Sequence, residues 1–430
     1  MRLDEIISLF LAAVLGGVWI YQSIILGRVV SERQRLGADT YDGPPTPAPR
    51  LSVLVAAKDE ESNIEACIDS LLDQDYPEFE IIAIDDRSED ATPDILARLE
   101  RRPASPGAPG SPDRLRVVTV SSLPDGWQGK SHAMHKGVAL CTGEWLLFTD
   151  ADCRFTARNA LSMAMRDAIE TDTEFLSMTP FLETLTTWER IVQPACALVL
   201  MLFFVPKKVN DPKRKTAYAN GAFMLLQRSC YDIIGGHKSV QGQVNEDIQL
   251  AKVAKRMAVR LRVVETDDLY RTRMYSTMRA AWAGWSRILY GSLQSMERLL
   301  VAASAVCFFS IGPWLGLILA TVAWAWAPGD GGASPAPAIA WLGVVVVEQF
   351  FMWRVYRLLS VHPIWSITHV VGAFFGLGII INAMRQLLGT APMTWRGTTY
   401  RQNDEARGVT AERPRDATIA KSPRTKQANA

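Results

Sequence analysis

Long uncharged runs and one long stretch of mixed pattern divide this chain. Residues 6–26 carry no charge and are nearly all apolar, enough to span a hydrocarbon core of about 30 Å. Three more such stretches come late, at about 299–327, 338–353 and 364–384, with Trp326, Trp341, Trp353 and Trp365 near their ends as in an interfacial aromatic belt. A fifth, shorter run at 191–205 precedes Lys207 and Lys208. It reads either as a helix lying in the membrane interface or as a buried core helix. Between the first run and the late cluster the pattern alternates. Apolar strands are predicted at 51–57, 79–84, 115–120 and 144–149, with helices at 61–72, 91–101 and 130–141 between them. Strand–helix alternation of this kind predicts an α/β domain with a mostly parallel sheet. The Pro- and Gly-rich segment 103–113 is expected to be a surface loop, and no internal repeat is visible.

Flanking charge orients these runs. Asp4 and Glu5 precede the first one where a signal peptide carries positive charge, and no small-residue cleavage site follows, so it reads as an anchor. Arg28, Arg33 and Arg35 come next and put the following domain in the cytosol. The loop 328–337, whose one charge is Asp330, reads as external, and Arg354 and Arg357 return to the cytosol. The last run is in conflict with this rule. If 364–384 crosses, a tail holding Arg385, Arg396, Arg401, Arg407, Arg413 and Arg415 lies outside. Either that segment is re-entrant or the charge rule fails there. The expected organisation is an anchor at 1–36, a Gly/Pro-rich linker at 37–50, a catalytic domain at 51–295, a membrane region at 296–390 and a polar tail at 391–430.

Composition narrows the function. With 46 basic and 45 acidic residues the net charge is +1, unlike the basic excess of general nucleic-acid binders. The six cysteines form no C-x-x-C pair and no zinc-type spacing, so they read as small buried hydrophobes in a reducing compartment. Acidic pairs close two of the predicted strands: Asp85 and Asp86 after the second, Asp150 and Asp152 after the fourth. Ligands of open α/β sheets bind beyond the carboxyl ends of the strands. A single acid there is commonly a helix cap, but two pairs together need a cation or donors to offset their repulsion. Asp150 and Asp152, two apart on extended backbone, point the same way and suit a metal–diphosphate complex. Lys130 follows Gly129 at a predicted helix start, where phosphate is favoured, or is simply a solvated lysine. Asn220 and Gly221 form either a turn or part of a sugar and acceptor site, and His237 reads as a loop histidine. Glu348 lies in an apolar run, where an acid is costly; it is either functional or snorkels to the interface near Trp353.

The opening LSVLVAAKDEESNIEACIDSLLDQDYPEFEIIAIDDRSEDAT, followed by GKSHAMHKGV, FTDADCRF, NGAFMLLQRSCYDIIGG and NEDIQLA, resembles the inverting family 2 glycosyltransferases of the GT-A fold over about 51–290. That resemblance implies a Rossmann-like domain binding a nucleotide-sugar, a UDP-sugar being expected. It implies that Asp85 and Asp86 line the nucleotide pocket, that Asp150 and Asp152 bind Mg2+ or Mn2+ with the diphosphate, and that the Glu246–Asp247 pair supplies the catalytic base. Ala56, Lys58, Glu60, Lys130, Gly221, Arg279 and Trp282 complete the expected substrate-binding set. One leading and about three trailing membrane segments, with MYSTMRAAWAGWSR and TWRGTTYR, resemble the bacterial carotenoid- and hopanoid-type enzymes and ceramide glucosyltransferase. The implied reaction moves one sugar to a membrane-lipid hydroxyl, at the inner cell membrane, with the catalytic domain in the cytosol. Processive polysaccharide synthases carry Q-x-x-R-W after the base. Here the region reads Arg279-Ala280-Ala281-Trp282, which argues against a processive synthase. A non-catalytic scaffold keeping the fold is the other alternative, and the presence of Asp152 and Asp247 counts against it.

Overall fold

The computed structural model describes residues 2–102, 114–275, 277–326, 333–395 and 398–400. The expected loop at 103–113, Asp330 and the tail arginines beyond Arg385 lie outside the described residues. After the apolar helix α1 (Leu3–Ser31) come β1 (Leu51–Ala57), α2 (Ile64–Leu72), β2 (Phe79–Asp86), α3 (Thr92–Glu100), β3 (Leu115–Val120), α4 (Gly129–Val138) and β4 (Trp145–Asp150). Next are β5 (Cys153–Phe155), α5 (Ala160–Glu170), β6 (Phe175–Thr179), β7 (Phe181–Leu182), α6 (Thr187–Phe203), α7 (Pro206–Asn210), β8 (Met224–Gln227) and α8 (Arg228–Ile233). The domain then adds α9 (Glu246–Arg256), β9 (Leu261–Glu265), β10 (Tyr270–Thr272) and α10 (Met278–Leu293). The rest is largely apolar helix: α11 (Met296–Ala305), α12 (Gly312–Ala325), α13 (Ala336–Leu358) and α14 (His369–Leu387), before a short hairpin of β11 (Met393–Trp395) and β12 (Thr398–Tyr400).

The main sheet has the order β3-β2-β1-β4-β8-β6-β9. Its pairings are parallel except where β8 lies antiparallel between β4 and β6. β1, β2 and β4 are buried on both faces, which is why each reads as a continuous apolar run. Alternate residues feed the two sides: Val53, Val55, Ile81 and Ala83 pack on one, Leu54, Ile82, Ile84 and Phe148 on the other. The order reverses at β1, so the carboxyl ends of β2, β1 and β4 flank a switch point, the expected ligand position.

The stretch 37–50, expected as a linker, is packed on the domain. Asn159 Nδ2 donates to Ala38 O (2.6 Å), and Tyr76 Oη donates to Pro49 O (2.6 Å). Its Gly and Pro residues break regular structure without freeing the chain, because the domain satisfies its carbonyls.

Among the described residues, five helical segments are long and apolar enough to cross a membrane: Leu3–Ser31, Thr187–Asn210, Met296–Ala325, Ala336–Leu358 and Pro363–Leu387. The anchor is not separate from the late cluster. Trp341 Nε1 donates to Ser8 Oγ (2.9 Å), Arg354 Nη1 donates to Ser23 O (2.6 Å), and Trp19 packs with Phe351 and Met352. A π-helical turn at Val306–Ile311 joins α11 to α12 just before Gly312 and Pro313. The second segment lies between β7 and β8, both of which belong to the α/β domain. One face of α6, with Val192, Cys196 and Val199, is core against α10 and α14, while Leu202 is exposed. Glu348 does not snorkel. It is fully buried, with Oε1 at 3.5 Å from Nε2 of the buried His369 at the start of α14.

Candidate active site

Strand register assembles the site. Ala57 pairs with Asp85 on one side of β1, and Ala56 pairs with Asp150 on the other. Three strand ends therefore open into one cavity of about 470 Å3, lined by Ala56, Lys58, Glu60, Asp86, Asp150 and Asp152 from this edge. Lys130, Gly221, Glu246 and Asp247, from other elements, line the same cavity. The sequence separates these groups widely, and the fold brings them together.

Asp86 is fixed by the next residue. Arg87 Nε and Nη2 donate to its two oxygens (2.7 and 2.9 Å) from a backbone with φ of 58°, a conformation that costs a side-chain-bearing residue energy. Lys58 Nζ donates to Arg87 O (2.9 Å), tying the end of β1 to the end of β2. Gly129 is required behind them, since a Cβ there would sit 2.5 Å from Asp86 Oδ2. Asp85 is buried and turned away from the cavity, with Oδ1 accepting from the Ser88 amide (3.2 Å).

Lys130 stands in the first turn of α4 and bridges the two acidic groups. Its Nζ is 2.6 Å from Asp150 Oδ1 and 2.6 Å from Glu246 Oε1. Burial alone lowers a lysine pKa, but here Asp150, Glu246 and Asp247 hold it above the ordinary value. Burial raises the Glu246 carboxyl, and the Lys130 charge outweighs it and holds Glu246 below the usual range. Asp247 moves the other way. Burial first, then the neighbouring Glu246 charge, pushes it up to about 7. Two carboxyls side by side thus part in proton affinity, one kept ionised by a lysine and one poised near neutrality.

Asp247 is held rather than capping. The N-cap of α9 is Asn245, whose Nδ2 donates to Ile288 O (3.1 Å) and Ser292 Oγ (3.0 Å) and so ties α9 to α10. Asp247 Oδ2 accepts from the Gly221 amide (2.9 Å) and Oδ1 from the Ile248 amide (2.7 Å). The Gly221 position is a turn, in which Asn220 Oδ1 accepts from the Ala222 amide (3.0 Å). A Cβ there would lie 2.8 Å from Lys130 Nζ and 3.2 Å from Asp247 Oδ2, so any side chain at this position would push the lysine from its bridge. His237 is a core residue, its Nδ1 3.0 Å from Tyr231 Oη and its ring against Phe148. Burial drives its pKa down to about 3, so it stays neutral.

Arg279 and Trp282 do not reach the cavity. Arg279 is exposed at the start of α10, and the Trp282 ring lies against Gly378 of α14. The same helix instead lines the cavity with Trp285, Ile288 and Ser292, one face at i, i+3 and i+7, together with Arg287. That spacing was the available signal. Tyr218 and Arg87 are further lining residues that motif reasoning passed over.

Asp150 and Asp152 both line the cavity, but among the described residues no group of three or more His, Cys, Asp or Glu could hold a metal ion. Two carboxylates with room beside them fit a divalent ion that arrives with phosphate ligands, not a resident one.

Residues 52–233 match the family model Glycosyl transferase family 2. That stretch is a family 2 glycosyltransferase domain, and the chain is a glycosyltransferase. The 4,4'-diaponeurosporenoate glycosyltransferase of Staphylococcus aureus (strain USA300) is 28% identical over 276 residues, 63% of this chain and 68% of the relative. The same enzyme from strain MRSA252 is 27% identical over the same span. Among solved structures, a mannosyltransferase from Pyrobaculum calidifontis, in complex with GDP-Man and Mn2+, superposes with a TM-score of 0.51 at 19% identity, covering 86% of this chain and 98% of that one. The fold is therefore of the GT-A type, with apolar helices on both sides of it in the chain.

Proposed function

We propose that this glycosyltransferase moves a single sugar, with inversion, from a nucleotide-sugar, expected to be a UDP-sugar, to a hydroxyl of a membrane lipid. Acceptors of the carotenoid, hopanoid or other glycolipid-precursor kind fit, and the staphylococcal relatives are named for 4,4'-diaponeurosporenoate. The observation carrying the reading is that one cavity joins the strand-end aspartates to walls made by α1, α6 and the end of α13. In this reading Asp86 and the β1 end hold the nucleotide, Asp150 and Asp152 face the diphosphate, and Asp247 takes the proton of the acceptor hydroxyl as it attacks. Glu246 and Lys130 fix the charge around that base. Mg2+ or Mn2+, when bound with the diphosphate, supplies Lewis-acid stabilisation of the leaving group. Incubating membranes with a panel of labelled nucleotide sugars tests this: one donor is expected to label the lipid extract. Labelling of water-soluble sugars or peptides as strongly as any lipid would overturn it.

The reading places the protein in the inner membrane as a multi-pass enzyme, with the catalytic domain in the cytosol and α14 re-entrant. Leu358 and Ser360 line the cavity, so α13 ends on the catalytic side. His369 starts α14 beside Glu348, ten residues back along α13, a depth of about 15 Å. From there α14 packs along α11, and the strand after it, β11, touches α10 of the catalytic domain. The chain then enters this segment from the cytosolic end of α13 and returns to the same side, and the arginine-rich tail keeps to the side that the charge rule favours. A fluorescent protein fused after Ala430 is expected to light up in the cytosol. Activity of a periplasm-dependent phosphatase at the same position would mean that the segment crosses.

A further inference from the structure

We infer that the acceptor's hydrocarbon chain enters sideways from the cytosolic leaflet, along a stripe of α6 between the ends of α1 and α13, and passes Phe204 and Tyr218 to reach Asp247. The inference rests on the lipid-acceptor reading and adds where the chain lies and which residues gauge it.

α6 carries two apolar faces about 120° apart. Val192, Cys196 and Val199 are packed against α10 and α14. Ala197, Leu200, Met201 and Phe204, at i, i+3, i+4 and i+7, line the cavity. Ala197, Leu200 and Phe204 pack in part on that same core, yet with Met201 their remaining apolar surface faces the cavity, where it lacks dispersion partners. The opposite wall is Val29 of α1 with Leu359 just after α13, both at the catalytic ends of apolar helices. The mouth therefore opens where the bilayer meets the domain. A charged pair stands in the same lining: Arg33 pairs with Glu265. An apolar stripe beside charged groups suits an amphiphile, not a soluble sugar.

The inner end is defined by an aromatic pair. The rings of Phe204 and Tyr218 lie 5.5 Å apart, and Tyr218 precedes the Asn220–Gly221 turn whose amide holds Asp247. A chain lying on the stripe would present its terminal hydroxyl beyond this pair, at the acid. The cavity is within the range of small-ligand sites, yet it also has to admit the donor, so the outer part of the hydrocarbon must remain in the bilayer.

The full-length protein in nanodiscs is to be irradiated with a long-chain alcohol bearing a diazirine a few carbons from its hydroxyl, and the labelled peptides mapped. Label is expected on the α6 peptide containing Leu200, Met201 and Phe204, and is expected to fall several-fold in Met201→Trp. Label on outward-facing Leu315 and Leu319 with none on that peptide would overturn the inference, whatever the enzyme transfers. In the transfer assay, Met201→Trp is expected to lower kcat/KM for long-chain alcohols roughly tenfold or more, and less for short ones. Met201→Ala shifts preference toward bulkier chains, and Leu202→Trp, on the exposed side of the helix, changes neither. Equal losses for long and short acceptors in Met201→Trp, with Met201→Ala unchanged, would mean that the stripe is structural. Labelling of the stripe without lipid transfer from any donor would instead refute the lipid-acceptor reading and leave the binding groove standing.

Discussion

Asp247→Asn is expected to lower turnover by about 10²–10⁴-fold, with the protein still folded and nucleotide binding near normal. The hydroxyl of a lipid is a weak nucleophile near neutral pH, so its proton has to leave as the bond to the anomeric carbon forms. Asp247 lines the same cavity as Asp150 and Asp152 but from a different element, the first turn of α9, as a base acting on the acceptor rather than on the diphosphate must. Burial and the Glu246 charge raise it to about 7, which matches a base to its working pH. The sign follows directly. The base works ionised, so kcat/KM is expected to fall as pH drops through about 7, and this acidic limb is expected to vanish from the residual activity of the Asn variant. Stability has the opposite slope, since a raised carboxyl pKa favours the folded state at low pH and loses that advantage as pH rises through about 7. The substitution is not silent for the fold. Both Asp247 oxygens accept amide hydrogen bonds, from Gly221 and Ile248, and Asn keeps one of them. A cost of about 1 kcal/mol in unfolding free energy is expected from the lost bond. Wild-type-like turnover by this variant would leave Asp247 as a structural brace of the Gly221 turn.

The parts legible in the sequence are those dictated by short-range pattern. Strands buried on both faces write themselves as apolar runs, so β1, β2, β3 and β4 fall within two residues of their expected limits. Acids at strand ends were legible for the same reason, because parallel topology leaves only one edge for a ligand. Orientation around a helix was less legible. Arg279 and Trp282 sit in the motif-like position, yet the rotation of α10 is set by its packing on α14, which turns Trp285 and Ile288 to the cavity and Trp282 to Gly378. Glu348 could not be read either, since its partner His369 is distant in sequence and becomes a neighbour only when α14 starts beside the middle of α13. Nor could the Lys130 bridge: a lysine at a helix start and two acids on other elements acquire a shared role only through their 2.6 Å contacts.

Asp152→Asn is expected to reduce turnover at least ~10²-fold, because metal stabilisation of a leaving group is worth several kcal/mol. The nucleoside diphosphate leaves with its charge concentrated beside Asp150 and Asp152, where protein carboxylates alone repel it. Lys130 does not relieve this fully, since its ammonium is already shared between Asp150 and Glu246. A divalent ion held by Asp150 and Asp152 would supply the positive charge that the departing diphosphate needs there. Asp152 stands just past the end of β4 and lines the cavity, and its change to Asn preserves size and shape, so insertion and folding are expected to be unaffected. Two measurements separate a metal role from a structural one. Excess EDTA is expected to abolish wild-type turnover reversibly on readdition of Mg2+ or Mn2+. Calorimetry with UDP is expected to show binding strengthened by Mn2+ in the wild type and insensitive to Mn2+ in the Asn variant. Undiminished turnover in excess EDTA, with UDP binding indifferent to Mn2+ in both proteins, would remove the metal from the mechanism and leave Lys130 as the cation that faces the departing diphosphate.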